Sequence, residues 1–199
     1  MITHIVSDMG GVLVDIEWAE RIGKLFGRSL PMDELHAFWV NARSPVEFES
    51  GRINFDQFAT AFIQEFNLDV SPETVQHEFL EIVRRPNQHC NQVVSTLKQT
   101  YHLSLLSNTS LPHYEKLRDR FQFFEPFDHL FLSYEIGLMK PSNEIYEHVL
   151  SVLDVSPESV AFFDDSLLNV EAARKLGIHA CQVRSPEEIM AIVEGFGTM

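Results

Sequence analysis

The sequence predicts an α/β fold in which a doubly wound parallel sheet carries helices on both faces. Three observations predict it. An apolar run over residues 2–6 leads directly to Asp8 and two glycines, as the first strand of such a sheet would. Apolar residues then recur at helical spacing from 17 to 85. After Pro86, helical and strand patterns alternate, which is typical of parallel strands joined by helices.

Composition places the chain among ordinary globular proteins. Its 199 residues are 45% apolar and 22% charged, enough for one domain with or without an insertion. We expect no transmembrane helix, since no apolar run approaches about 18 residues. We also expect no signal peptide, because no basic stretch leads to a cleavage site. Cys90 and Cys181 are too few for a disulfide framework, which favours a reduced, cytoplasmic protein.

The charge excludes some classes of partner. With 29 acidic and 15 basic residues, the formal net charge is −14. Clustered basic residues are what a nucleic-acid surface needs, so we expect no nucleic-acid partner and no membrane partner. Part of the acidity could serve a cation site, and the rest is interpreted as solvated surface. The oligomeric state stays open.

The segment from 17 to 85 is predicted to be an all-helical cap inserted after the first strand, with 1–16 and 86–199 forming the α/β core. No convincing strand pattern interrupts this segment. Ser71 followed by Pro72 indicates a helix N-cap and first helical residue. One helix face carries a stripe of phenylalanines, which we interpret as core packing. The stripe consists of Phe55, Phe58, Phe62 and Phe66.

Four helix–strand pairs are predicted after Pro86. The helices are expected at 91–100, 114–121, 143–153 and 168–176, and the strands at 103–107, 129–133, 160–163 and 180–183. Gly177 follows the last of these helices, where glycine often ends a helix.

Polar residues gather where the predicted strands end. They are Asp8, the run Ser107-Asn108-Thr109, Lys140 and the pair Asp164-Asp165. Each has an ordinary explanation when taken singly, such as a turn or a helix cap. In a doubly wound sheet, however, all would converge on one crevice. Together they offer a nucleophile, a hydroxyl, a cation and a carboxylate pair for a metal, the groups that phosphoryl transfer requires.

Four motifs carry a resemblance to a known family. They read SDMGGVL at 7–13, LLSNT at 105–109, GLMKP at 137–141 and FFDDS at 162–166, the last continuing into NVEAA at 169–173. In this order they resemble the motifs of the haloacid dehalogenase-like hydrolase superfamily over nearly the whole chain. The helical segment, including ESGRI at 49–53, is similar to its small C1-type cap. The branch containing a bacterial α-D-glucose-1-phosphate phosphatase is the most similar one.

The resemblance implies a role for each motif residue. Asp8 would attack phosphorus and form a covalent intermediate. Ser107 and the backbone N–H of Asn108 would bind the transferring phosphoryl group. Lys140 would neutralise its charge and steady Asp8.

The resemblance also implies a metal site. Asp165, together with Asp164 and Asp8, would bind Mg²⁺, a hard cation that prefers oxygen ligands. The carbonyl of Gly10 would complete the site.

Gly10 departs from the pattern of the family's phosphatases. They usually carry a second aspartate there as general acid and base, a contribution typically worth about 10²–10⁴-fold in rate. Glycine has no side chain to transfer a proton. A sugar 1-phosphate, with its better leaving group, would need less help. Asp15 is a conceivable surrogate, although a turn or cap residue is the interpretation we favour.

Three functions remain open. The first is an Mg²⁺-dependent phosphatase of a small phosphorylated metabolite such as a sugar phosphate. The second is a 2-haloacid dehalogenase, with Asp8 displacing halide and Arg43 binding an anion. That enzyme would not need the metal pair, and the tyrosine usual at position 10 is missing. The third is a catalytically weak or inactive relative that binds a phosphorylated ligand or another protein, supported by Gly10 alone. Substrate contacts from the cap are expected among Trp18, Trp39, Asn41, Arg43 and Glu47.

Overall fold

The predicted parallel sheet is present in the computed structural model, which describes residues 1–29 and 31–198. The strands are β1 His4–Ser7, β2 Val14–Ile16, β3 Val83–Pro86, β4 His102–Ser107, β5 His129–Leu132, β6 Val160–Asp164 and β7 His179–Gln182. Five of them form the parallel sheet in the order β5-β4-β1-β6-β7. The chain therefore builds outward from β1 in one direction and then in the other, as in a doubly wound fold.

The helices fall into two groups. Those between β2 and β3 are α1 Trp18–Leu25, α2 Met32–Asn41, α3 Arg43–Glu49, α4 Phe55–Phe66 and α5 Pro72–Leu80. Those that alternate with the strands of the sheet are α6 Cys90–Leu97, α7 Leu111–Phe121, α8 Ser133–Ile136, α9 Asn143–Leu153, α10 Leu167–Lys175 and α11 Pro186–Glu194.

Hydrophobic residues cover both faces of the sheet. Because successive side chains of a strand point to opposite faces, neighbours in sequence enter different clusters. Ile5 and Phe163 lie in one cluster with residues of α6 and α11, whereas Val6 and Phe162 lie in another with residues of α9 and α10. Burial on both faces explains why these strands read as continuous apolar runs.

The segment 17–85, which we call the cap segment, has a hydrophobic cluster of its own. Phe58 and Phe62 are fully buried in it, and Phe55 and Phe66 pack against it partly buried. The interpretation of the stripe as core packing is confirmed. Ser71 accepts a hydrogen bond from the backbone N–H of Thr74 at 3.3 Å with Pro72 at the first helical position, so that predicted helix start is confirmed too.

Several elements were missed. Strands β2 and β3 pair antiparallel, so the expectation that no strand lies between 17 and 85 is wrong at the end of that segment. Each has only three or four residues, and their partners are distant in sequence, so no local alternation reveals them. Helices α8 and α11 were also not predicted, and β1 begins at His4 and not at residue 2.

The cap segment contacts the α/β part at defined points. The ring of His113 on α7 stacks on Phe79 of α5 with centroids 4.4 Å apart, and its Nε2 lies 2.7 Å from the Phe79 carbonyl oxygen. Burial lowers the pKa of His113 to about 4, so the ring is neutral and its Nε2–H donates to that carbonyl. Lys116 donates from Nζ to the Leu80 carbonyl at 2.6 Å.

A second contact depends on a glycine. Gly51, just after α3, has φ +72°, and a Cβ there would lie 2.0 Å from the backbone oxygen of Tyr134 on α8. Only glycine allows this close approach of two backbones.

We expect Gly51→Ala to lower the free energy of unfolding more than Gly27→Ala does. Gly27 also has a left-handed φ, +62°, but nothing lies within 4 Å of a Cβ built on it. Both variants carry the backbone strain, about 1–2 kcal/mol, and only Gly51→Ala adds a clash, of about 1–3 kcal/mol. Denaturant unfolding measures the difference. Equal losses for the two variants would contradict the close approach.

Candidate active site

The central strand of the sheet and one of its neighbours bring carboxylates together. Asp8 follows β1, and Asp164 is the last residue of the neighbouring strand β6. The backbone N–H of Asp8 donates to the carbonyl of Phe163 at 2.7 Å, which continues the ladder beyond the assigned strand. This is the position in the sheet at which the strand order reverses, where open α/β sheets bind their ligands.

Lys140 joins these two carboxylates. Its Nζ lies 2.7 Å from Asp8 Oδ1 and 2.6 Å from Asp164 Oδ2. All three residues are buried, and only 4% of the surface of Lys140 is exposed. The bond to Asp8 agrees with the predicted steadying role of this lysine.

Asn108 holds the backbone of Lys140 in place. Its side-chain Nδ2 donates to the Lys140 carbonyl at 2.9 Å, and its Oδ1 accepts the Lys140 N–H at 2.8 Å. Asn108 follows β4, so this pair of bonds ties the loop carrying the lysine to the sheet. Sequence reasoning had considered only the backbone N–H of Asn108, and the clamp by its side chain was missed.

Asp164 is fully engaged with protein groups. Besides Lys140, its carboxylate accepts the Ser166 N–H at 2.8 Å and the Asn169 side-chain amide at 2.9 and 3.1 Å. Asn169 lies in the NVEAA run that follows the fourth motif. These bonds satisfy a carboxylate that has no exposure to solvent.

Asp165 completes an acidic trio. One carboxylate oxygen each from Asp8, Asp164 and Asp165 lie within 4.8 Å of one another. Gly11 makes room for it: with φ +78°, its missing Cβ would stand 2.7 Å from Asp165 Oδ2. Three carboxylates and the Lys140 ammonium leave net negative charge, and an oxygen donor set of this kind fits a divalent hard cation.

Burial and the neighbouring charges act in opposite directions on the pKa values of this cluster. Burial raises the pKa of Asp8, the Lys140 ammonium lowers it, and the charges of Asp164 and Asp165 raise it again; the net shift is upward. Burial acts to lower the pKa of Lys140, but Asp164 and Asp8 more than offset this, so its pKa is raised and it stays charged. A bound cation would favour the ionised form of Asp8.

The backbone of Gly10 leaves room for a Cβ atom. Unlike that of Gly11, its backbone lies outside the left-handed region, and a Cβ would meet Ile16 Cγ2 at an ordinary 3.5 Å. Neither backbone strain nor a clash at Cβ therefore demands glycine at this position.

The structure places the other predicted site residues as follows. Ser107 is buried at the end of β4, the strand that pairs with β1. Arg43 is 82% exposed and ion-paired with Glu47 at 2.8 Å, which gives its predicted role in substrate binding no support. Asp15 is half-exposed on β2 and pairs with Arg85 at 3.6 Å, as a structural residue would.

The cap segment supplies a carboxyl group that sequence reasoning did not select. Glu49 accepts a hydrogen bond from Trp39 Nε1 at 3.1 Å through its Oε1. Burial raises its pKa to about 7, while the Trp39 bond and the charge of Lys140 act in the opposite direction. Glu49 begins the ESGRI stretch, but no local pattern distinguishes it from the surrounding acidic residues.

The comparison with protein families decides which kind of enzyme this geometry belongs to. A model described as haloacid dehalogenase-like hydrolase matches residues 2–177. The chain belongs to this family. As a haloacid dehalogenase-like hydrolase it is an enzyme, and its sheet order and flanking helices are those of the family fold.

Curated relatives of this haloacid dehalogenase-like hydrolase include two phosphatases. One is a D-ribitol-5-phosphate phosphatase of Bacteroides thetaiotaomicron, 25% identical over 92% of this chain and 92% of the relative. The other is a sesquiterpene phosphatase of Aspergillus oryzae, 28% identical over 87% of this chain and 85% of the relative.

A solved structure shares the fold. It is a haloacid dehalogenase family enzyme from Bacteroides thetaiotaomicron in complex with magnesium and inorganic phosphate. Its TM-score is 0.75, with 23% identity over 92% of this chain and 94% of that chain. Among the residues that the structure describes, the hydrolase has no helix both long enough and apolar enough to cross a membrane.

We expect Lys140→Met to destabilise the protein strongly when no metal is added. Removing the ammonium leaves Asp8 and Asp164 buried side by side, and breaking a buried pair in this way costs about 3–5 kcal/mol of unfolding free energy. Lys98→Met is the matched control, because Lys98 pairs with Asp128 at the surface; its loss should stay below about 1 kcal/mol. Denaturant unfolding in EDTA distinguishes them. Similar small losses would contradict the buried ion network.

Proposed function

We propose that this hydrolase is a phosphatase that cleaves the monoester of a small phosphorylated metabolite through a covalent intermediate on Asp8. The observation that carries the proposal is the buried ion network of Asp8, Lys140 and Asp164 at the strand ends. It holds a carboxylate in place beside a fixed positive charge, and phosphoryl transfer depends mainly on such positioning and charge neutralisation. The two phosphatase relatives support the same reaction class.

The reaction divides into two displacements. A carboxylate oxygen of Asp8 attacks phosphorus, the ester P–O bond breaks, and the alcohol leaves. Water then attacks the phosphorus of the aspartyl-phosphate, releasing inorganic phosphate and restoring the Asp8 carboxylate. Lys140 keeps Asp8 oriented through both steps and offsets the negative charge of the phosphoryl group, with Ser107 and the Asn108 N–H proposed to hold its oxygens.

Magnesium is the proposed cofactor. Asp8, Asp165 and the carbonyl of Gly10 would hold it, and Asp164 would take a smaller part, because its oxygens already accept four hydrogen bonds. When bound, Mg²⁺ supplies the positive charge that lets an anionic nucleophile meet a phosphate. The net negative charge of the acidic trio and its lysine is the feature of this chain that such an ion would balance.

The finer predictions stay proposals. We propose that residues 17–85 act as a C1-type cap over the 1–16 and 86–199 core, that the substrate is a sugar phosphate or similar metabolite, and that the enzyme works in the cytoplasm. The glucose-1-phosphate phosphatase branch remains a prediction.

One observation favours an alternative. Gly10 would suit a catalytically weak relative that binds a phosphorylated ligand. The 2-haloacid dehalogenase reading is weaker, since Arg43 faces solvent and the acidic trio is not needed for carbon–halogen cleavage.

We expect Asp8→Asn to abolish hydrolysis of p-nitrophenyl phosphate without unfolding the protein. The amide is nearly isosteric but is not an anionic nucleophile. Asp15→Asn removes a nearby exposed carboxylate and should retain the activity. Initial rates and circular dichroism report both properties. A folded Asp8→Asn protein that turns over at the rate of the natural protein would remove Asp8 from its role.

We expect EDTA to abolish the activity and Mg²⁺ to restore it. The melting temperature should also rise with Mg²⁺, since a ligand at 100 times its Kd stabilises the folded state by about 2.7 kcal/mol. Asp165→Asn should reduce this rise, which provides a readout that does not depend on catalysis. Undiminished turnover in chelator, or halide released from 2-haloacids without metal, would favour the dehalogenase instead.

A further inference from the structure

The proposed phosphatase lacks a proton donor at its usual place. An alkoxide is a poor leaving group, so hydrolysis of an alkyl monoester needs an acid near the ester oxygen. Gly10 has no side chain, and Asp15 is paired with Arg85. The carboxylates of Asp8 and Asp164 are occupied by Lys140.

Glu49 is a carboxyl group that the cap segment brings toward this cluster. It is the last residue of α3, and α3 packs against α8, the short helix that precedes the loop carrying Lys140. Two residues later, the close contact of Gly51 with the Tyr134 carbonyl fixes the end of α3 on α8. The positive charge of Lys140 acts to lower the pKa of Glu49.

Trp39 orients the Glu49 carboxyl. The indole is itself buried, at 6% exposure, and its Nε1–H donates to Oε1. In the described part of the chain, Oε2 receives no hydrogen bond, so one oxygen is held while the other is available to a ligand. Trp18 packs edge-on against Trp39, 5.5 Å between centroids, which limits the movement of the indole.

We propose that Glu49 is the general acid and base of this enzyme, replacing the side chain that Gly10 lacks. The proposal rests on the phosphatase function proposed above. As Asp8 attacks phosphorus and the P–O bond breaks, the Glu49 carboxyl gives its proton to the ester oxygen, which leaves as an alcohol. In the second displacement the Glu49 carboxylate takes a proton from the attacking water, so that phosphate forms and Glu49 is again protonated.

The surroundings of Glu49 suit this double role. With a pKa near 7, both of its forms are populated at neutral pH, as an acid that later serves as a base requires. Lys140 is the charged group that acts on it. Among the described charged groups of α3 and α4, Arg43 pairs with Glu47, Glu65 accepts hydrogen bonds from Ser44, and Asp56 accepts one from Gln76.

The test compares two esters in Glu49→Gln. The amide oxygen of glutamine can still accept the Trp39 bond, but the side chain cannot supply a proton. For glycerol phosphate, whose leaving group is an alkoxide, kcat should fall about 10²–10⁴-fold. For p-nitrophenyl phosphate, whose leaving group departs without a proton, kcat should change less than about threefold. The matched control is Glu73→Gln, on the exposed surface of α5, which should change neither rate.

Two further measurements distinguish proton transfer from a structural role. In the natural protein the kcat for glycerol phosphate should fall as pH rises through the Glu49 pKa, and this limb should be absent in Glu49→Gln. Adding Gly10→Asp to Glu49→Gln should restore at least tenfold of the alkyl-ester rate, because a Cβ fits beside Ile16. If Glu49→Gln does not fold, Trp39→Phe serves instead: it removes the bond that lowers the Glu49 pKa, and the limb should move to higher pH.

Several results would contradict the role of Glu49. An equal loss on both esters, or a changed KM for glycerol phosphate with unchanged kcat, would make Glu49 a structural or binding residue. A natural protein that hydrolyses neither ester would instead refute the phosphatase function. Hydrolysis of p-nitrophenyl phosphate that depends on Asp8, combined with an unaffected Glu49→Gln variant, would overturn the Glu49 proposal alone.

Discussion

The site depends on the buried bonds from the Lys140 ammonium to Asp8 and Asp164. Three charged groups can remain in a dry interior only if each is paired and hydrogen-bonded, because desolvation of an isolated ion costs several kcal/mol. The adjacency of β1 and β6 sets the two carboxylates side by side, and Asn108 fixes the loop that carries the lysine.

The charges of the network do not cancel, since its carboxylates outnumber its one ammonium group. This excess of negative charge distinguishes it from a structural ion pair. Asp165 adds a third carboxylate beside the pair, and Gly11 leaves the space for it. Buried net charge weakens a fold, so its presence at the strand ends favours a site that binds a cation and then an anion. The net negative charge of the carboxylates would attract a divalent cation. The positive charge of the cation and of Lys140 would then attract the phosphate.

The cap segment approaches the proposed active site at the C-terminal end of α3. At Gly51 the two backbones meet closely, and Glu49 stands just before that contact. The same packing that joins the cap segment to α8 therefore brings a titratable group toward Lys140. Gly10 in the α/β core supplies no acid, and the proposed replacement, Glu49, comes from the cap segment.

The sequence by itself determined the α/β class, the helix Asn143–Leu153 and the placement of Asp8 and the Asp164-Asp165 pair at strand ends. Periodicity and chain order are local properties, and they suffice for such features. Lys140, which was expected at a strand end as well, lies instead in the loop that follows α8, because that short helix separates it from β5. Tertiary structure alone decided the pairing of β2 with β3, since the two strands meet across the whole cap segment. It also decided which polar side chains turn toward the site: Arg43 pairs with Glu47 in solvent, while Glu49 lies against Trp39. Both are charged residues of one short helix, and only packing against α2 and α8 distinguishes their environments.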